Sequence, residues 1–550
     1  MKLTSSTILL ANLVTCALAR PASYTTAPTV SLPYARYQGF HNATSGLDVF
    51  LGIRYAQAPV GDLRWRTPKT PLPNKNTTLQ ATSHPAKCFQ LNLLGDSGST
   101  PGVPDPSEDC LFLNVFAPPL SAHKKKLPVM VWIHGGGYFA GFAASFNPTD
   151  MIQASNNSFV AVIIQYRLGM FGFLPGSEVK KNGTLNAGLL DMQFALKWTQ
   201  QNINLFGGDP DQVTLWGESA GAGGVMMQVV ANGGKTKPAL FKRAIASSTY
   251  VPPNYSYNDP QAELQYASLV NNTGCTNATD TLACLRGLDY ATLAAGSTQV
   301  PRPVVDGTFL TQRPQLSLAR KQVNGEKLIS LHNVDEGRIF VAQAGDSKVQ
   351  TWITGQLPDL SPENVTAVEK AYQVFASSNA TEADNVYKIQ TLIFGEALFV
   401  CPSFWLIDAF PKNGYQGLFA VPPSLHSLDL NVYFPGSSSI QPAQPFSQSL
   451  IQSFMGALVS FILTGTPNNN PMNKTINPNW PVYDAQSPKG MTFGVTASGA
   501  ADTKFEAVNS ALRQRCNLWR TLALKQICYT RRARACVQMK GKHRQPRLKA

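Results

Sequence analysis

A serine stands inside the pattern Gly-x-Ser-x-Gly at residues 217–221, after the apolar run 213–216 and before a series of small residues. The apolar run is typical of a buried strand, and small residues permit a closely packed start of a helix. We therefore predict a sharp turn from strand to helix, with the hydroxyl of Ser219 exposed at its tip for attack on a carbonyl carbon. The pattern alone arises by chance in a chain with 42 glycines, so its context decides.

A serine hydroxyl becomes a good nucleophile when a neighbouring base accepts its proton. In enzymes built on this turn, the acid and then the histidine follow the serine along the chain, which leaves His332, His426 and His543. His543 lies in a strongly basic tail, and His332 precedes the best candidate for the acid. His426 is therefore the predicted base, which takes the proton of Ser219 and returns it to the leaving group.

A second glycine-rich segment supplies donors for the negative charge that develops on the attacked oxygen. The apolar run 128–133 leads into His134 and three consecutive glycines at 135–137. Because glycines let backbone N–H groups approach a substrate oxygen, the predicted donors are the N–H groups of Gly136, Gly137 and Ala220. A phosphate-binding loop is disfavoured, since no Gly-Lys-Ser/Thr sequence follows.

These segments need a large scaffold to hold them together. The chain has 550 residues, of which 43% are hydrophobic and 14% charged, and it shows neither an internal repeat nor a clear linker. We predict a single globular domain over residues 20–525. Residues 1–19, with a lysine, a short apolar run and Ala-Leu-Ala at the end, are typical of a secretory signal peptide. We expect a secreted protein without stable membrane insertion, since no later segment offers about 18 uninterrupted apolar residues.

The net charge of +14 is concentrated at the carboxyl end of the chain. Residues 513–550 hold 12 of the 46 Lys and Arg and no Asp or Glu, so the remainder is nearly neutral. Nucleic acid is therefore not an expected partner. Residues 526–550 are predicted to form a disordered, solvated tail, with attachment to a polyanion or cell wall as the alternative.

Nine cysteines include one in the predicted signal peptide, and pairing is expected for the other eight in an oxidising compartment. Spacing alone leaves their connectivity open. Neither Cys88 and Cys110 nor Cys275 and Cys284 have a histidine at ligand spacing to both cysteines, so no metal site is predicted. Ten Asn-x-Ser/Thr sequons are compatible with secretion.

An ordered set of motifs resembles the type-B carboxylesterase/lipase family of α/β-hydrolases, which includes cholinesterases and secreted fungal lipases. The motifs lie at 50–56, 61–65, 108–115, 202–203 and 206–210, ahead of the turn at Ser219, and the resemblance covers roughly residues 30–525. It implies one α/β-hydrolase domain with a mostly parallel central sheet and helices on both faces. Insertions would roof a gorge over Ser219, and no cofactor would be required.

The residues alone leave many carboxylates between Ser219 and His426 open as the acid. The family places its glutamate in Asn-x-x-Glu-Gly, which residues 333–337 reproduce. The resemblance therefore implies Glu336, in the role of holding the His426 tautomer and stabilising its charged form. Without the resemblance, Asp335 beside it stays open as an alternative. Glu218, beside the serine, is expected to be a buried carboxyl of the active-site network and not the acid itself.

The family's cysteine pattern resembles the one in this chain. It implies the disulfides Cys88–Cys110, Cys275–Cys284 and Cys401–Cys516. Cys528 and Cys536 lie outside the family's cysteine pattern, and a disulfide between them is our interpretation.

The loop closed by the first disulfide bears on the substrate. Cholinesterases hold a quaternary ammonium there on a tryptophan, whereas residues 90–109 contain no aromatic residue, so choline esters are disfavoured. In the lipases this loop is an interfacial lid, but here it is shorter and polar. We predict a secreted carboxylesterase for soluble or short-to-medium acyl esters. The alternatives are an interfacial triacylglycerol lipase or sterol esterase and, more remotely, a catalytically silent adhesion module, which retention of Ser219, Glu336 and His426 disfavours.

Overall fold

The computed structural model describes residues 27–91, 100–343, 348–472 and 478–530, with side chains described as far as residue 524. The predicted signal peptide, most of the basic tail, His543 and the proposed Cys528–Cys536 pair lie outside these descriptions. The strands are β1 Thr29–Ser31, β2 Ala35–Gln38, β3 Phe40–Asn42, β4 Leu47–Arg54, β5 Asn74–Gln80, β6 Phe112–Ala117, β7 Leu127–Ile133, β8 Val160–Ile164, β9 Gly208–Glu218, β10 Arg243–Ser247, β11 Lys327–Asn333, β12 Gly414–Phe419, β13 Lys489–Val495 and β14 Ala501–Ala507.

Helices connect most of these strands. The α-helices are α1 Thr149–Ala154, α2 Gly169–Phe173, α3 Ser177–Asn182, α4 Ala187–Asn202, α5 Ala220–Val230, α6 Pro260–Asn272, α7 Thr281–Gly287, α8 Tyr290–Gly296, α9 Pro314–Ala319, α10 Val349–Gln356, α11 Pro362–Tyr372, α12 Glu382–Gly395, α13 Cys401–Asp408, α14 Leu430–Tyr433, α15 Gln448–Thr464 and α16 Ser510–Thr530. A π-helical turn, Glu396–Val400, joins α12 to α13. Short 3₁₀ turns lie at Gly61–Leu63, Leu120–Ala122, Ala143–Ser145, Ile203–Phe206, Ala231–Gly234, Arg338–Phe340 and Gln373–Phe375.

One large sheet organises the molecule. Its strand order is β14-β13-β12-β11-β10-β9-β7-β8-β6-β4-β3, and the block from β13 to β8 is joined by parallel pairs. Antiparallel pairs occur only towards the two edges of this sheet. A separate small sheet has the order β1-β2-β5. The predicted mostly parallel central sheet is therefore confirmed.

Strand β7 shows how this sheet is buried on both faces. Val129, Val131 and Ile133 enter one hydrophobic core, to which helices α4, α5 and α13 contribute. Met130 and Trp132 enter a second core on the other face, to which α14 and α15 contribute. A strand covered on both faces has an unbroken apolar sequence instead of an alternating one. The predicted arrangement of helices on both faces is confirmed by these two cores.

The carboxyl ends of the parallel strands all lie on the same side of the sheet, and the strand register brings those ends together. Ile133 of β7 pairs with Gly217 of β9. Ser247 of β10 pairs with Glu218 of β9 and with Leu331 of β11. The loops that follow these four strands therefore leave the sheet side by side, which is where open α/β sheets place their ligands.

The three implied disulfides are present, and the third one anchors the last helix. Cys88 bonds to Cys110, and Cys275 bonds to Cys284. The bond between Cys401 and Cys516 joins α13 to α16 across 115 residues of sequence. Helix α16 is thereby fastened beside the π-helical turn.

One helical stretch in the described ranges, Glu382–Asp408, has the length and hydropathy of a membrane span. Its most apolar window is 78% buried inside the protein. The stretch consists of α12, the π-helical turn and α13, whose side chains contribute to the first core. Its apolar character is that of a core helix.

A buried ion pair fastens helix α4 to the segment after β8. Asp191 Oδ2 accepts hydrogen bonds from Arg167 Nε at 2.7 Å and from the Arg167 backbone N–H at 3.0 Å. Asp191 Oδ1 accepts a third from Arg167 Nη2 at 2.8 Å. Neither side chain is more than 3% exposed, so each charge depends on the other.

Replacement of Asp191 by alanine is expected to lower the free energy of unfolding by about 3–5 kcal/mol, because Arg167 would keep its charge in a dry site without a counter-charge. Urea denaturation monitored by fluorescence measures this loss. The matched control is Asp502→Ala, which removes an exposed pair with Lys504 and should leave the unfolding midpoint almost unchanged. Equal effects of the two substitutions would show that burial of the pair is not the cause.

Candidate active site

The backbone of Ser219 has a conformation that side chains rarely adopt. Its φ is 57° and its ψ is −123°, at the junction between β9 and α5. The Ser219 N–H donates to the carbonyl of Ser247 at 3.0 Å, and the Ser219 carbonyl accepts from the N–H groups of Gly223 and Tyr250 at 2.9 and 3.1 Å. These bonds hold the residue from both sides, so the predicted turn is present with Ser219 at its tip.

The glycines around Ser219 allow two backbones to touch. A Cβ atom on Gly221 would lie 2.1 Å from the carbonyl oxygen of Ile133, at the end of β7. A Cβ atom on Gly217 would lie 2.5 Å from the carbonyl carbon of Gly221. Helix α5 therefore begins directly against the sheet, which a side chain at either position would prevent.

Three of the predicted residues meet in a continuous line of hydrogen bonds. His426, in the loop after β12, places Nε2 3.0 Å from Ser219 Oγ. Its Nδ1 lies 2.5 Å from Glu336 Oε2, in the loop after β11. All three side chains are buried. This arrangement is suited to activation of the serine hydroxyl by a histidine that an acid orients.

The other candidates are placed elsewhere. Asp335 forms an ion pair with Arg338, with 2.6 Å between Oδ2 and Nη2. His332 is buried, with Nδ1 2.8 Å from the carbonyl oxygen of Asn333 and its ring against Phe404. Among the described hydrogen bonds, Asp335 makes none with His426 and His332 makes none with Ser219, so neither belongs to this line.

Glu336 is buried but well supplied with hydrogen bonds. Its Oε1 accepts from Ser248 Oγ at 2.7 Å and from the Asn333 backbone N–H at 2.6 Å. Burial alone would raise the pKa of Glu336, but the charge of His426 and these hydrogen bonds lower it below its ordinary value. Ser248 belongs to no motif recognised in the sequence; only its place directly after β10 marks it.

Glu218 faces the same histidine from the other side. Its Oε1 lies 3.3 Å from His426 Nε2. Burial raises the pKa of Glu218 to about 8, although the nearby charge of His426 opposes this shift. Burial lowers the pKa of His426, but the carboxylates of Glu218 and Glu336 outweigh it and raise the pKa above its ordinary value. Glu218 and His426 are therefore close enough for the protonation of one to affect the pKa of the other.

A third buried carboxyl, Asp429, was not predicted. Its Oδ1 accepts from Asn333 Nδ2 at 3.0 Å, and its Oδ2 accepts from Tyr433 Oη at 2.8 Å. Burial raises the pKa of Asp429 despite these two hydrogen bonds. Its position three residues after His426 is the one feature of the sequence that could have indicated it.

The glycine loop after β7 packs directly on the turn. A Cβ atom on Gly135 would lie 2.7 Å from Glu218 Oε2 and 3.0 Å from Ser219 Cβ. Gly136 has a φ of 100°, which favours glycine. Among the hydrogen bonds of the described residues, none uses the N–H groups of Gly136, Gly137 or Ala220. Within the described residues these three N–H groups therefore have no acceptor.

Aromatic rings line one side of His426, and we call Tyr250, Phe340, Phe394 and Phe399 the aromatic wall. The centroids of Phe399 and Phe340 lie 4.5 and 5.0 Å from that of His426. Tyr250 stacks on Phe399 at 5.1 Å, and Phe394 stacks on Phe340 at 5.3 Å. Sequence analysis missed the wall, because its members are far apart along the chain and a π-helical turn carries Phe399.

Within the described ranges, no group of three or more His, Cys, Asp or Glu residues could hold a metal ion.

The chain is similar to known proteins in sequence and in fold. The family model for the carboxylesterase family matches residues 26–519. A "Secreted lipase 1" of Botryotinia fuckeliana is 31% identical over 521 residues, which cover 83% of this chain and 88% of that protein. "Carboxylesterase patB" of Aspergillus clavatus is 29% identical, covering 84% of this chain and 91% of that protein. The crystal structure of Aspergillus niger EstA superimposes with a TM-score of 0.81 at 31% identity, covering 91% of this chain and 99% of that one. The chain therefore belongs to the carboxylesterase family and is a carboxylic ester hydrolase of the α/β-hydrolase fold.

Proposed function

We propose that Ser219, His426 and Glu336 hydrolyse esters through a covalent acyl-enzyme. One observation carries this proposal, namely the line of hydrogen bonds from Glu336 through His426 to Ser219, at 2.5 and 3.0 Å. The free N–H groups beside Ser219 complete the set of groups that ester cleavage needs.

In the first half of the reaction, Ser219 Oγ attacks the ester carbonyl carbon while His426 Nε2 takes its proton. The resulting oxyanion accepts hydrogen bonds from the N–H groups of Gly136, Gly137 and Ala220, each worth roughly 3 kcal/mol in the transition state. The carbon–oxygen bond to the alcohol then breaks, and His426 gives its proton to the departing oxygen. The acyl group remains on Ser219.

In the second half, water replaces the alcohol. His426 Nε2 takes a proton from the water as its oxygen attacks the acyl carbon, and the proton then returns to Ser219 Oγ as the acid leaves. Glu336 stays ionised throughout, because its low pKa keeps it a carboxylate beside the histidine that becomes charged. Its role is to orient the ring and stabilise that charge.

The proposed substrates are soluble or short-to-medium acyl esters. The aromatic wall offers an apolar surface to an alkyl chain beside His426. The segment between Cys88 and Cys110 has no aromatic residue from 90 to 109, which argues against quaternary ammonium esters.

We also propose that residues 1–19 direct export and that residues 20–525 form one domain. The disulfides and the secreted relative support an extracellular location.

An interfacial lipase is the second candidate, and one observation favours it. Val334, Ile339 and Phe340 are 56%, 42% and 44% exposed, and all three lie within the loop that carries Glu336. Large apolar side chains exposed together mark a surface that contacts lipid or another protein.

Replacement of Ser219 by alanine is expected to lower kcat for p-nitrophenyl butyrate by about 10⁴- to 10⁶-fold, since the nucleophile is removed. The matched control is Ser177→Ala, at an exposed serine of α3, which should keep full turnover. Labelling with an organophosphate followed by peptide mass analysis should place the adduct on Ser219 in the wild type. Retained turnover in Ser219→Ala, or a label elsewhere, would overturn the assignment.

The pH profile of kcat/KM should report the surroundings of His426. The base must be neutral to accept a proton, so activity falls as the pH drops through the raised pKa of His426, above its ordinary value of 6.5. Glu218→Gln removes one cause of that raised pKa, so the acidic limb should move to lower pH. Glu363→Gln, at an exposed position, should leave the limb in place. A limb that moves upward or stays fixed in Glu218→Gln would contradict this role.

The esterase and lipase candidates predict different rates once the ester concentration exceeds its solubility limit. With tributyrin, an esterase should reach its plateau below that limit and show no jump in rate as droplets form, as measured by titration of released acid. A steep jump would instead establish the lipase candidate. The double variant Val334→Ser/Ile339→Ser would then lose activity on droplets and retain it on dissolved p-nitrophenyl acetate.

A further inference from the structure

A cavity of about 120 Å³ lies beside the aromatic wall. Tyr250 and Phe394 of the wall line it, together with Trp352 and Leu357. Its lining is apolar apart from a few groups, of which Arg302 is the charged one. An apolar cavity with one placed charge is typical of a binding site for a chain that ends in the opposite charge.

Arg302 is half-buried, and one of its guanidinium nitrogens lacks a partner. Its Nε is buried and has no hydrogen-bond partner. Among the described residues it takes part in no ion pair. No Asp or Glu lines this cavity or the adjoining one, which shares Leu357 with it. A buried donor without an acceptor is costly, and a guanidinium binds carboxylates through paired hydrogen bonds.

The cavity is close to the reacting groups. Tyr250 donates its backbone N–H to the carbonyl of Ser219 at 3.1 Å. Its ring stacks on Phe399, which in turn contacts the ring of His426. Burial raises the pKa of Tyr250 and the charge of Arg302 opposes that shift, in keeping with a guanidinium near this ring. The lining of the cavity is therefore two ring contacts away from His426.

We propose that this cavity binds a part of the ester substrate that ends in a carboxylate, with Arg302 holding that carboxylate. The preferred esters then carry a free carboxylate several methylene groups from the scissile bond. The proposal rests on the proposed function of Ser219, His426 and Glu336. The carboxylate can belong to the acyl part, as in a half-ester of a dicarboxylic acid, or to the alcohol part.

The test compares Arg302→Gln and Arg302→Lys with the wild type on three esters. Monoethyl adipate carries the carboxylate on its acyl part, the butanoate ester of a hydroxyhexanoate carries it on the alcohol part, and ethyl hexanoate is the neutral reference. For one of the two anionic esters, the ratio of its kcat/KM to that of the neutral ester should fall about ten- to a hundred-fold in Arg302→Gln. In Arg302→Lys this ratio should fall less, because lysine keeps the positive charge but cannot form the paired hydrogen bonds of a guanidinium.

Arg320→Gln is the matched control, because it removes the same charge from an exposed site and should leave the ratio unchanged. Added salt should lower the ratio in the wild type more than in Arg302→Gln. An unchanged ratio for both anionic esters in Arg302→Gln would overturn the proposal for the cavity, while wild-type hydrolysis of ethyl hexanoate would leave the proposed function standing. If the wild type cleaved none of the three esters, the proposed function would fail and the cavity proposal with it.

Discussion

The contact between the start of helix α5 and the backbone of the central sheet is the constraint on which the site depends. Gly221 lies so close to the end of β7 that a Cβ atom would meet a carbonyl oxygen at 2.1 Å. Ser219 is held at a positive φ as a result, a conformation that costs about 1–3 kcal/mol. Every residue of α5 is buried, and that burial offsets the strain. The position of the Ser219 hydroxyl at the tip of the turn is thus a consequence of how tightly the helix packs.

The carboxyls around His426 show how environment separates residues of one chemical type. Glu336 receives hydrogen bonds from Ser248 and Asn333, and its pKa falls below the ordinary value. Glu218 is just as buried, but its Oε1 has no hydrogen-bond partner among the described residues, and its pKa rises. The difference is the supply of donors, which lowers the pKa of Glu336 and is missing at Glu218, where burial raises the pKa.

The parts of the site that depend only on residues adjacent in the sequence could be predicted from those residues. The parts that depend on residues far apart in the sequence could not. The turn at Ser219 and the glycines at 136 and 137 are local, because each needs only the residues beside it. Glu336 and His426 are 90 residues apart, so chain order and family resemblance were needed to pair them. The mostly parallel sheet was implied by the family resemblance, but the neighbours of each strand could not be predicted from the residues. Ser248 is placed by strand register, and Phe399 by a π-helical turn, and neither leaves a periodic pattern.

The π-helical turn has a consequence for how enzymes of this kind can diverge. The reactive groups lie in loops at the carboxyl edge of the sheet, whereas Phe394 and Phe399 lie in the single helical stretch Glu382–Asp408. That stretch is fastened from outside by the Cys401–Cys516 bond and by the pairing of Arg515 with Glu396. The proposed contacts with the ester and the proposed groups that cleave it therefore belong to separately supported pieces of the chain. Mutations that reshape the helical stretch can therefore change which ester is preferred. The reactive groups in the loops after the strands would stay unchanged.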